Sequence, residues 1–168
     1  MPTVNRLVSK IRVIRSGGQT GVDRAAFDAA RRLEIPIAGW CPKGGLAEDC
    51  PDPPGLLELF PEMAETPKGD YYERTEWNVR DSDATLVFFP REMDTSAGTE
   101  YTIELAEEMQ RPHLVLDRAD AATAIAWLDS LGDDLDLNVA GPRERNYPGI
   151  HDVAQELLVE VLEHYRQG

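Results

Sequence analysis

The stretch "SGGQTGVDRAAFDAARR", Ser16 to Arg32, decides the fold. The apolar, β-branched run Ile11–Ile14 leads into Gly17 and Gly18, Gly21 follows, and alanines then recur at helical spacing. A strand, a glycine turn and a helix in that order open a βα unit. The turn itself has two readings. It is either a tight reversal of the chain or a mould for a phosphate at the mouth of the helix.

Working outward, the same alternation continues. The first helix is expected over Val22–Leu33, with Ala26, Ala29, Ala30 and Leu33 on one face, and a second strand over Ile35–Gly39. A Pro/Gly-rich loop spans Trp40–Pro54, and "LLELF" is a short apolar patch. "YYERTEWNVRDSD" reads as a helix ending near Asp81, and Ala84–Phe89 as a buried strand stopped by Pro90. A helix over Thr99–Gln110, a strand over His113–Leu116, the helix "AATAIAWLDSL", the strand "LDLNVAG" and a helix over Gly149–Arg166 complete the pattern. Five strands separated by helices imply a single three-layer, Rossmann-like α/β domain over residues 1–168, with a mostly parallel sheet. Ligands in such sheets sit beyond the carboxyl ends of the strands, so the loops after the strands carry the functional reading.

Composition narrows the class. Apolar residues are 42 % and charged residues 29 % of the 168, an ordinary globular mixture. No apolar run has the length of a membrane span. The N-terminal stretch lacks a small-residue cleavage site, which argues against a secretory leader, and two cysteines suggest reduced thiols in a cytoplasm. A net charge of −14 argues against nucleic acid as a partner. The charge is uneven: residues 1–45 hold eight Lys/Arg and three Asp/Glu, a net of +5, whereas the rest hold nine and twenty-eight, a net of −19. The N-terminal third therefore suits a local positive field around a small anion.

Four loops matter. In the first, Gly17, Gly18, Gln19, Thr20 and Gly21 offer backbone and neutral side-chain donors, with Thr20 or Gly21 as helix cap. The spacing matches neither the dinucleotide fingerprint nor the P-loop. In the second, Lys43 lies beside Gly44 and Gly45, and Cys41 is either a metal or molybdenum ligand or a small loop residue. The spacing of Cys41 and Cys50 is wrong for zinc and no histidine groups with them, so no protein-held zinc is expected. In the third, Ser96, Gly98 and Thr99 repeat the form of the first loop at another helix start. In the fourth, Arg143 and Arg145 are candidates for gripping an oxyanion. Glu100 and Glu104, four apart on one helix, form either a catalytic pair or a solvated stripe, and the polar run Arg74, Asn78, Arg80, Asp81 and Asp83 suits structural bonding as well as ligand binding.

Together "SGGQTGVDRAAFDAA", "CPKGGLAED", "RTEWNVRDSDATLVF", "GTEYT" and "LNVAGPRE" resemble the molybdenum cofactor carrier family, Rossmann-like relatives of the lysine-decarboxylase-like phosphoribohydrolases. The resemblance implies a cytoplasmic homo-oligomer, dimer or tetramer, that binds molybdenum cofactor or a related phosphorylated molecule at its glycine loops. Ala97-Gly98-Thr99 stands where the family has Gly-Gly-Thr. Tyr101 and Thr102 stand where the related hydrolases place a glutamate. Two functions follow as expectations. One is a carrier or sensor using Gly17–Gly21, Lys43, Ser96, Gly98, Thr99 and Arg143; the other is a nucleoside-monophosphate phosphoribohydrolase using Glu100 or Glu104, with Arg80 or Arg91 positioning.

Overall fold

A computed structural model describes residues 9–166; most of the N-terminal stretch read above for a leader lies outside them. The chain forms β1 (Ile11–Arg15), α1 (Val22–Arg32), β2 (Ile37–Ala38), β3 (Trp40–Cys41), α2 (Leu56–Leu59) and β4 (Ala64–Glu65). It continues through α3 (Tyr71–Arg80), β5 (Ala84–Phe88), α4 (Ala97–Glu108), β6 (His113–Leu116), α5 (Ala121–Asp129), β7 (Leu135–Ala140) and α6 (Ile150–His164). Five strands form a wholly parallel sheet in the order β2-β1-β7-β5-β6. The Rossmann-like α/β architecture expected from the alternation is the one observed.

Burial follows position in the sheet. Every residue of β5 is buried, as are the first five of β7, because helices cover both faces of the central strands. Asp136 in β7 is accommodated there by Arg12 and Arg15 from β1. Helices α1, α5 and α6 pack together as one layer, and α3 with α4 form the other. The alanines of α1 are buried and leave room for close approach of α6, and Phe27 reaches past them to stack against Phe60 at 4.9 Å. Each large apolar side chain buried this way contributes about 1.5–3 kcal/mol.

The second strand is shorter than expected. Only Ile37 and Ala38 pair with β1. At Gly39 the chain crosses the Ser16 carbonyl too closely for a side chain and leaves the main sheet. It then forms β3, inside the segment expected to be loop, and β3 pairs in parallel with β4 as a separate two-stranded sheet. Asn78 of α3 grips this small sheet: its Oδ1 accepts from Trp40 N–H, and its Nδ2 donates to the Trp40 carbonyl. The grip fixes α3 so that its first turns approach the carboxyl edge of the main sheet. No helix of the described residues is long and apolar enough to cross a membrane.

Candidate functional site

The strand order creates the site. β1 leads outward through α1 to β2, and β5 leads outward in the opposite sense through α4 to β6, with β7 between them. Above the carboxyl ends of β1, β7 and β5 lies a cleft of about 310 Å³. That volume is at the small end of the range of roughly 300–1,000 Å³ usual for ligand pockets. Gln19 lines it from the first loop, Ser96, Gly98 and Thr99 from the start of α4, and Arg143 from the loop after β7. Tyr71, Tyr72 and Arg74 of α3 close it from the side.

The first glycine loop is occupied by protein. A methyl group on Gly17 would lie 3.0 Å from Arg74 Cζ and closer still to its Nη1, so the guanidinium lies directly against this backbone. Gly18 has φ +71°, and a methyl there would meet Met63 Sδ at 3.0 Å and Phe27 at 3.3 Å. Gly21 has φ +83°, and its open side is filled by the Pro142–Glu144 backbone. The first N–H of α1, on Val22, donates to the Pro142 carbonyl at 3.2 Å. The bare side of each of these glycines, expected to admit a ligand, admits another part of the chain instead. Thr20 faces away from the cleft: its hydroxyl donates to Glu48 and accepts from Glu144 N–H.

The third loop is open. A methyl on Gly98 would meet nothing within 4 Å. Ser96 caps α4 by position, yet its side chain makes no bond to the helix backbone and pairs instead with the Thr99 hydroxyl at 2.8 Å. The first turn of α4 therefore presents N–H groups and the positive end of the helix dipole to the cleft. Across from it, the Arg143 guanidinium stacks on Tyr71 at 4.6 Å and makes no ion pair among the described residues.

Arg74 is differently committed. Its Nη1 lies 3.4 Å from Asp23 Oδ2, with both side chains almost wholly buried, and it also lies over Tyr71 at 5.4 Å. Burial pushes the Asp23 carboxyl above its ordinary value of 3.8; the Arg74 charge, the Gln19 N–H and the Arg143 charge pull it back in part. Gln19 is 2 % exposed, its Nε2 donates to the Leu46 carbonyl, and its Oε1 has no partner; Arg74 Nε likewise has none. The cleft thus combines two guanidiniums, one carboxylate, an open helix end and aromatic rings.

Other candidates lie elsewhere. Lys43 is exposed beyond β3, and its backbone N–H pairs with the Lys68 carbonyl; it does not line the cleft. Glu100 and Glu104 are exposed and also outside the lining. Arg80 pairs with Asp81 and Arg91 with Asp117, both at the surface. Arg145 is exposed and pairs with Glu48 at 3.5 Å. Asp81 accepts from Trp40 Nε1, and Asp83 from Asp136 N–H, so most of the polar run is structural. Cys41 is buried on β3, and desolvation, with Glu65 nearby, raises its thiol to about 11. Among the described residues no three His, Cys, Asp or Glu side chains group to hold a metal ion. What sequence reasoning missed is the aromatic and arginine wall of α3; the only signal was Arg74 within the polar run.

Residues 14–162 match the model of the circularly permutated YpsA SLOG family. The chain belongs to that family. A crystal structure from Syntrophus aciditrophicus, described as a "Putative molybdenum carrier protein", is 40 % identical in sequence. It superposes with a TM-score of 0.80, over 92 % of this chain and 96 % of that one. No curated protein matches the sequence.

Proposed function

We propose that this SLOG-family chain binds a phosphorylated heterocyclic small molecule, of the molybdenum cofactor or nucleotide kind, as a carrier or sensor. The observation that carries the reading is the pairing of Arg143, stacked on Tyr71 and in no ion pair among the described residues, with the uncapped start of α4 across one cleft. A guanidinium and helix N–H groups are the usual partners of a phosphate. Tyr71 and Tyr72, at the same cleft, supply ring faces for a heterocycle. The Syntrophus protein is named a molybdenum carrier, and together with the resemblance to the molybdenum cofactor carrier family this makes the pterin cofactor a specific candidate. The donor set suits the phosphate and ring of such a cofactor rather than its metal, since neither cysteine lines the cleft.

Titration calorimetry with adenosine 5′-monophosphate tests the site. Arg143→Ala should weaken binding about 10- to 100-fold, the span of one lost charge-assisted contact, with an unchanged melting temperature. Equal affinity in the variant would place the phosphate elsewhere. Release of free adenine during the titration would replace the carrier with a hydrolase. Mass spectrometry of the small molecule that co-purifies under anaerobic conditions separates pterin from nucleotide.

A further inference from the structure

We propose that Thr20 and Glu48 are positioning residues that set Arg143 against Tyr71 from outside the cleft, an inference that rests on the phosphate reading of Arg143. Neither residue lines the cleft. The Thr20 hydroxyl is a two-way connector: it accepts from Glu144 N–H at 3.3 Å, the residue next to Arg143, and donates to the Glu48 carboxylate. Glu48 also pairs through its other oxygen with Arg145, so one carboxylate holds residues on both sides of Glu144's attachment to the first loop. Gly21 leaves the notch in which the Arg143 backbone rests.

The segment bearing Glu48 is itself clasped to the first loop. Leu46 accepts from Gln19 Nε2, and Asp49 takes both Nη atoms of Arg24, whose Nε donates to the Gly18 carbonyl. The Glu48 carboxylate is therefore anchored independently of the ligand. Removing the Thr20 hydroxyl cuts the only side-chain bond, among the described residues, from the first loop to the backbone beside Arg143. The Pro142 contact to α1 and the Glu144 bonds to Gly149 and His151 remain. The loop should stay folded while Arg143 loses its fixed place over the ring.

The experiment has a ligand-free arm and a binding arm on the full chain. In nitrogen-15 NMR, the Arg143 Nε–H resonance, assigned by its absence in Arg143→Lys, should carry a ring-current shift from Tyr71. Thr20→Val and Glu48→Ala should lose that shift, whereas Thr20→Ser should keep it. Affinity for adenosine 5′-monophosphate should fall about tenfold in Thr20→Val and return to within about twofold of wild type in Thr20→Ser. An unchanged resonance in Thr20→Val overturns the positioning role whatever the ligand. A wild-type protein that shows the ring shift but binds neither the nucleotide nor inorganic phosphate overturns the phosphate reading, and with it the purpose assigned to the positioning.

Discussion

Replacing Gly21 with alanine probes the contact that joins the first loop to the fourth. With φ +83° and ψ −131°, the backbone lies in a region open almost only to glycine, and an L-residue there costs about 1–3 kcal/mol. The added methyl would lie 2.7 Å from Glu144 N and 2.8 Å from Arg143 C, and nearer still to the Pro142 carbonyl oxygen, where ordinary contacts begin at 3.4 Å. All three neighbours are backbone, so no side-chain rotation relieves the clash. The loop must retreat, and the Val22 N–H to Pro142 bond, worth about 0.5–1.5 kcal/mol, is strained or lost. Together these give a destabilisation of about 1.5–4.5 kcal/mol, read as a fall in the urea midpoint at unchanged slope. Gly98→Ala is the control, because its methyl would meet nothing within 4 Å and alanine favours a helix by about 0.5–1 kcal/mol. A Gly21→Ala protein within about 0.5 kcal/mol of wild type would refute the notch and the backbone support it gives Arg143.

Gly18→Val should destabilise the protein rather than selectively block a ligand, because its side chain would enter the space held by Met63 and Phe27; differential scanning calorimetry of the free protein would register the loss. The His151 ring bridges Asp28 Oδ2 at 2.7 Å and Asp152 Oδ1 at 3.1 Å, tying α6 to α1. Burial lowers its pKa, but the bonds to Asp152 and Asp28 outweigh that and leave it above 6.5. A raised histidine contributes stability that is fully present below 6.5 and lost as pH rises through the folded value. The stability gap between wild type and His151→Gln should therefore be widest near pH 5.5 and narrow by about pH 8.5 in urea titrations.

Much of the fold was legible because long buried strands and amphipathic helices announce their period. The run Ile11–Ile14 is β1 with Arg15 added, the bounds of β6 match those expected, and the end of α3 falls one residue from Asp81. The strands β3 and β4 have two residues each, too short for any alternation, so nothing in "WCPKGG" separated β3 from loop and nothing in "MAETPK" announced β4. At the site, Gln19, Ser96, Gly98, Thr99 and Arg143 were found as cleft-lining positions because they follow strands. Arg74 and Tyr71 come from a helix whose approach depends on Asn78 gripping that unseen small sheet. The Arg74–Asp23 contact spans 51 residues of sequence and leaves no local pattern.

The two glycine loops had the same form in sequence, and neighbours in the sheet decide their different fates. β1 lies beside β7, whose chain emerges at the same edge and lays Gly141–Glu144 onto the start of α1. The glycines there serve the approach of one backbone to another, and the helix end is satisfied by a carbonyl. β5 has β7 on one side and the edge strand β6 on the other, and no carbonyl from either neighbouring loop bonds the first turn of α4 among the described residues. A helix end left open beside a guanidinium that makes no ion pair among the described residues is where an anion gains most, since water competes for those N–H groups. The glycine-rich stretch at Ser16–Gly21 is thus the socket that holds Arg74 and Arg143 in place, and the unpaired donors open to the cleft belong to the first turn of α4.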